Sequence, residues 1–138
     1  GRADAGRRIF FDKPETQCSR CHAVGGAGGT VGPSLDGLGK RSKASEILES
    51  ILSPNARLSP GFENVVLTLK NGTVVAGALK SEAGGELKIL AGEDGEVTVK
   101  SADVESRERG LSAMPEGMGA LLGRRELRDL VAFLGSLR

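Results

Sequence analysis

The chain has 138 residues and 14.3 kDa, room for one domain with or without a small inserted unit and not for two large independent ones. Hydrophobic residues make up 38% and charged residues 27%, a globular balance that excludes disordered and fibrous classes, while 21 glycines give loops and tight turns a large share. Nineteen basic against 18 acidic side chains leave a net charge of +1, which removes the electrostatic case for binding nucleic acid or an anionic membrane surface.

There is no Trp and no Tyr, and the four phenylalanines are Phe10, Phe11, Phe62 and Phe133, so the aromatic mass that usually fills a core of this size is missing. The charge is also uneven. Residues 1–60 carry 9 basic and 6 acidic groups, residues 61–107 carry 5 and 8, and residues 108–138 carry 5 and 4. No apolar run approaches a membrane span, and the opening GRADAGRR is not a signal peptide. A start on Gly1 without Met is expected of a processed product or an excised domain.

In chain order, Asp4 is placed to cap a helix over Ala5–Phe11 that Pro14 ends. Next come the only cysteines and the only histidine, within five positions: Cys18, Cys21 and His22 in Cys-Ser-Arg-Cys-His. This is the attachment pattern for c-type haem. Two thiols one short helical turn apart add across the two vinyl groups of one porphyrin, and the adjacent imidazole reaches the iron. Structural zinc wants four Cys or His ligands, and the chain has three. A thioredoxin-like pair follows a strand, whereas Ala3–Phe11 has helical spacing. Covalent haem also accounts for the missing aromatics, because a buried macrocycle supplies a large flat apolar body.

Gly25–Thr30 is too far from any Gly-Lys-Ser/Thr to be a phosphate loop and is expected to be a loop against the porphyrin edge. Ser42 is placed to cap a helix over Lys43–Leu52, stopped by Pro54, with Ile47, Leu48, Ile51 and Leu52 on its buried face. From Gly61 the texture changes to period two. Asn64–Lys80 alternates around Asn71-Gly72, a hairpin signal; Glu86–Leu90 and Glu96–Lys100 flank Asp94-Gly95, and Val104–Glu108 adds a short edge. The last helix spans Glu126–Leu137, with Leu127, Leu130, Val131, Leu134 and Leu137 on one stripe.

These segments together resemble a class I cytochrome c. Gly6 and Phe10 match the glycine-to-aromatic face of that family's N-terminal helix, which crosses the C-terminal helix at the glycine. Gly32–Arg41 resembles the family's Gly-Pro-x-Leu-x-Gly segment. The resemblance implies that the Pro33 carbonyl accepts the ring N–H of His22 and that Arg41 faces a haem propionate, although Gly-Pro is also a common turn and Lys40, Arg41 and Lys43 could be a solvated basic face. With no second histidine, a methionine is the natural sixth ligand. Both methionines, Met114 and Met118, lie in Ser112–Gly119, where the resembling proteins supply a thioether; Met114 precedes Pro115 as in the family's Met-Pro loop, and Met118 reads as packing. The run from Val31 to Val65, SAMPEG and the last helix further resemble the planctomycete and verrucomicrobial type of haem-binding domain, which often ends larger periplasmic dehydrogenase-like proteins.

The expected fold class is therefore α+β, a mainly α class I cytochrome c fold with an inserted small antiparallel β-sheet or SH3-like barrel. Residues 1–60 would form the N-terminal part with the attachment motif, 61–107 the inserted β unit, and 108–138 the C-terminal part with the Met loop and last helix. The insert reads as a structural cover or tether, with a partner-docking face as the alternative that its charge of −3 favours. The expected function is one-electron transfer by one covalent haem c with cofactor-binding residues Cys18, Cys21, His22, Pro33, Arg41 and Met114, the iron held by His22 and Met114. The alternative is a haem-based small-ligand sensor or peroxidase-like enzyme with a dissociable Met. A module built only on the strands leaves the attachment motif without a role. The partners implied are redox proteins, including a dehydrogenase domain in the same parent chain, with no nucleic acid and no membrane span. Haem attachment needs reduced thiols delivered by export machinery, which implies a bacterial periplasmic or other extracytoplasmic location.

Overall fold

Helical spacing of apolar residues at the two ends of the chain produces the two helices that pack hardest. The computed structural model describes residues 1–91 and 94–138. Its residues fall into two units, Gly1–Arg57 with Met114–Arg138, and Leu58–Ala113. The first holds α1 (Ala3–Asp12), α2 (Cys18–Cys21), a hairpin of β1 (Ala23–Val24) and β2 (Ala27–Gly28), α3 (Leu38–Arg41), α4 (Ala44–Leu52) and α5 (Arg124–Ser136), with a 3-10 turn at Met118–Leu121 before α5. Among the described residues no helix is long and apolar enough to cross a membrane.

The centre of this unit is the crossing of α1 and α5. Gly6 and Phe10 are the buried residues of α1, and Asp129, Leu130, Phe133 and Leu134 those of α5. A Cβ on Gly6 would lie 1.9 Å from the Asp129 carbonyl oxygen and 2.7 Å from the Phe133 Cβ, so the backbones touch at the one position without a side chain. Phe10, Phe11 and Phe133 cluster beside the crossing with ring centroids 4.8 to 6.5 Å apart, in tilted or edge-on pairs that suit the ring quadrupoles. A second close approach fixes the far end of α5, where Gly39 donates its N–H to the Leu137 carbonyl at 2.9 Å.

Three local expectations are corrected. The first helix starts at Ala3, so Asp4 lies inside its first turn, bound to the Arg2 guanidinium at 2.8 Å; the Arg2 N–H finds its acceptor in Asp129 of α5 at 2.7 Å. A carboxylate from a distant helix replaces the local cap. Ser42 does not cap α4, because its own N–H closes α3 onto the Leu38 carbonyl at 2.9 Å. Lys43 takes the capping position, and the Glu46 carboxylate accepts its N–H at 2.8 Å. The Gly25–Thr30 stretch is a hairpin rather than a plain loop, since Gly25 and Gly26 take φ of 59° and 79°, the sign that a two-residue turn with right-handed strand twist requires.

The second unit is a five-stranded antiparallel sheet of β3 (Asn64–Leu69), β4 (Val74–Ala83), β5 (Glu86–Leu90), β6 (Glu96–Lys100) and β7 (Val104–Arg109), in the order β6-β5-β4-β3-β7. Period-two alternation puts Val65, Leu67, Leu79, Leu87, Ile89 and Val99 into one buried cluster, with Leu79 opposite Ile89 and Leu87 opposite Val99. The Asn71-Gly72 turn is closed by the Asn71 side chain, which accepts the Thr73 N–H at 2.9 Å. β4 runs past Lys80 to Ala83 with an irregularity between Leu79 and Ser81.

Two predictions follow from the crossing. Gly6→Ala should destabilise the fold by about 3 kcal/mol or more in urea unfolding, because the neighbour that must yield is backbone; a loss under about 1 kcal/mol would show that the helices separate freely. The second concerns Glu126, which accepts the Gly123 N–H and the Lys13 ammonium at 2.8 and 2.9 Å. The Gly123 N–H first, and Lys13 second, hold its carboxyl below the usual carboxylate range. A lowered folded pKa adds stability above the unfolded value that is lost as the pH falls through the folded one. Glu126→Gln should therefore lower the thermal midpoint at neutral pH and converge with the unmutated protein only in acid, once the pH has fallen through the lowered pKa of the folded carboxyl. An equal gap at both pH values would assign the effect to packing.

Candidate functional site

The site is built on the single turn of α2. Pro14 ends the preceding helix, and Gln17 adopts φ 46°, the one positive-φ non-glycine among the described residues, to start α2 at Cys18. Cys18 and Cys21, three residues apart on one turn, share a helix face and are both free thiols. Burial pushes the Cys18 thiol up, which keeps it protonated and slow to oxidise. His22 is the residue at which the helix gives way to extended backbone, its N–H bonded to the Cys18 carbonyl at 3.1 Å.

The His22 Nδ1 lies 2.8 Å from the Pro33 carbonyl oxygen. A carbonyl only accepts, so Nδ1 carries the proton and Nε2 keeps its lone pair for a metal. The loop that brings Pro33 there is laced to the cysteine turn by backbone hydrogen bonds: Gly29 N–H to the Ser19 carbonyl, Gly32 N–H to the Cys21 carbonyl and Leu35 N–H to the Ala23 carbonyl, at 2.8 to 2.9 Å. Glycine is required at the closest points. A Cβ on Gly29 would sit 1.9 Å from the Arg20 carbonyl oxygen, and one on Gly32 would sit 2.4 Å from the His22 Cε1.

Arg41 braces the same loop, with Nη2 donating to the Ser34 carbonyl at 3.0 Å and Nη1 to the Asp36 carbonyl. Asp36 in turn accepts the Gly25 N–H at 2.7 Å and ties the hairpin turn down. On the other side, Met114 packs on the apolar cluster of Phe10, Ile47, Ile51, Leu122, Leu130, Phe133 and Leu134, which Cys18, Val24, Leu35 and Leu38 also touch. Cys18 and Met114 thus border one apolar body. Met118 opens the 3-10 turn that leads toward α5.

Two observations test whether this donor set fits a covalently held porphyrin. Among the described residues, no three His, Cys, Asp or Glu side chains gather as a metal site, so Cys18, Cys21 and His22 do not converge as a zinc set would. Thr16, 5% exposed, sets its hydroxyl beside the Cys18 thiol and gives the sulfur a polar neighbour. The residues fit: two thiols on one face, an imidazole with Nε2 free, and a thioether packed on the same apolar cluster as Cys18. Thr16 and the Gly32 cradle escaped sequence reading, since a threonine before a helix looks like a cap and Gly-Pro looks like a turn.

A family model described as cytochrome c matches residues 3–71, half of the chain. The match includes Cys18, Cys21, His22, Pro33 and Arg41 and ends before Met114. A cytochrome c-553-like protein of Synechocystis sp. is 38% identical over 63 residues, which cover 46% of this chain and 55% of the relative. The chain thus spans about half the length of that curated relative.

The cradle generates a prediction. Gly32→Ala should push the His22 imidazole away from Pro33, which would remove the exchange-protected Nδ1–H signal of His22 in NMR and cost about 2 kcal/mol of stability. Retention of a protected Nδ1–H with unchanged stability would show that the loop has room for the methyl.

Proposed function

Because this chain belongs to the cytochrome c family, we propose that it is a one-electron carrier that would hold one haem c through Cys18 and Cys21, with His22 and Met114 supplying donors to its iron. The observation that carries the reading is the laced turn itself, which presents two free thiols and an imidazole whose only free nitrogen is Nε2. Haem supplies an iron that cycles between ferrous and ferric states when bound.

The chain's own residues do the rest. Cys18 and Cys21 hold the macrocycle at one edge, and the Pro33 carbonyl fixes the His22 tautomer and makes its Nε2 a stronger donor. Met114 offers a soft neutral sulfur, which favours the ferrous state and raises the potential. Arg41 spends two of its five N–H donors on Ser34 and Asp36, which leaves others for a propionate. Were His22 and Met114 both to bind the iron, they would leave no place on it for substrate, which favours electron transfer over a ligand sensor or peroxidase-like enzyme.

In this reading the helical unit, Gly1–Arg57 with Met114–Arg138, is a class I cytochrome c domain, and the strand-bearing Leu58–Ala113 is an insertion between the fourth helix and the Met114 loop. The narrower resemblance to planctomycete and verrucomicrobial haem-binding domains supports a bacterial periplasmic setting, with redox proteins or a dehydrogenase domain of the same parent chain as partners.

The test is direct. After expression with haem-maturation machinery, denaturing mass spectrometry should give the polypeptide plus one haem, and the ferric protein should show the weak far-red band of thioether ligation. Met114→Ala should abolish that band, lower the potential and admit cyanide quickly. A bare polypeptide mass would end the reading, and an unmutated protein that lacks the band and binds carbon monoxide at once would favour the sensor or enzyme.

A further inference from the structure

We propose that Asn55 is a positioning residue for Met114, acting through Glu116 to set how readily the thioether leaves the iron. The proposal rests on the reading of Met114 as the sixth ligand. The Asn55 amide donates from Nδ2 to Glu116 Oε1 at 2.6 Å, across 61 residues of sequence. Both residues belong to the helical unit.

Each end of this tie is rigid. On one side, the Ser53 N–H bonds the Glu49 carbonyl at 2.7 Å, Pro54 is buried, and the Ala56 N–H bonds the Ser53 carbonyl at 2.9 Å, so Asn55 rides on an ordered extension of α4. On the other side, Glu116 follows Met114 with only Pro115 between them, and the proline ring fixes its own φ and restricts the methionine before it. The Glu116 backbone is therefore coupled to Met114 through Pro115, and the hydrogen bond to Asn55 limits the positions that backbone takes.

A second contact makes the hold two-pointed. A Cβ on Gly119 would lie 2.3 Å from Leu52 Cδ2, which places the backbone after Glu116 directly on the last residue of α4. The end of α4 thus grips the loop by a hydrogen bond at Glu116 and by close packing at Gly119. The chain reaches Met114 only after the long interval Leu58–Ala113. Loss of the hydrogen bond loosens the loop after Met114 while the Gly119 contact still holds its far side, so the thioether swings off more often and an outside ligand enters faster.

The experiment uses the haem-loaded protein and reads the far-red thioether band and the rate of cyanide binding. Asn55→Asp sets a second carboxylate against Glu116 and should speed cyanide binding about tenfold while weakening the band. Asn55→Ala, which only removes the donor, should act in the same direction and serves if the first variant fails to load haem. The double variant Asn55→Asp, Glu116→Gln restores one donor and one acceptor with their places exchanged and should return the rate to within about twofold of the unmutated protein. Single variants at the unmutated rate, or a double variant no slower than Asn55→Asp, would overturn the positioning role while leaving Met114 as ligand. An unmutated protein without the far-red band would overturn the ligand reading and the proposal with it.

Discussion

The approach of the Gly6 backbone to the Asp129 carbonyl sets the separation of α1 and α5, and most of the helical unit takes its dimensions from it. At that distance Phe10 and Phe133 meet instead of bridging a gap, and Leu130 is sealed to 1% exposure. Lys13 reaches Glu126, and Asp129 reaches the Arg2 N–H. Helices held a side chain further apart would lose dispersion contacts along the whole seam, because attraction between packed atoms falls steeply with separation. α2 follows α1 after one turn, so its orientation is inherited from the same crossing.

Rigidity of a different kind governs the cysteine turn. Apolar packing there is sparse: Cys18, Cys21 and His22 are half-buried, and the order comes from backbone hydrogen bonds between α2 and the loop leading to Pro33. Such a scaffold fixes a proton on Nδ1 without enclosing Nε2. A donor atom is thereby aimed while its approach stays open, which a closed apolar core could not offer.

Much of this was legible in the sequence where chemistry or periodicity is local. The cysteine and histidine spacing is dictated by covalent reach, the helices at both ends of the chain by a 3.6-residue stripe, and the β3–β4 hairpin by Asn71-Gly72. What escaped reading depends on residues far apart in the chain. Asp4 and Ser42 have the right chemistry for caps, yet Asp129, 125 positions beyond Asp4, supplies one acceptor and the closing turn of α3 occupies the other candidate. The β1–β2 hairpin carries no apolar alternation, so only the positive φ of its two glycines shows it. The Gly32 cradle, the placing of the Thr16 hydroxyl beside Cys18 and the Asn55–Glu116 bond likewise leave no trace in composition or period.

The division of the chain into a contiguous sheet and a helical unit made from two separated segments carries a consequence for the order of assembly. The strands pair mostly with near neighbours in sequence, so their loops close early and at small entropic expense. The crossing of α1 with α5 joins residues more than a hundred positions apart and must wait until α5, which follows every strand of the sheet, has been made. Until then Cys18 and Cys21 belong to a nascent chain whose closing helix does not yet exist. The residues that pack on α5, Gly6 and Phe10 among them, consequently gain their partner only after the whole sheet has been made, and the order in which the two units close is set by topology.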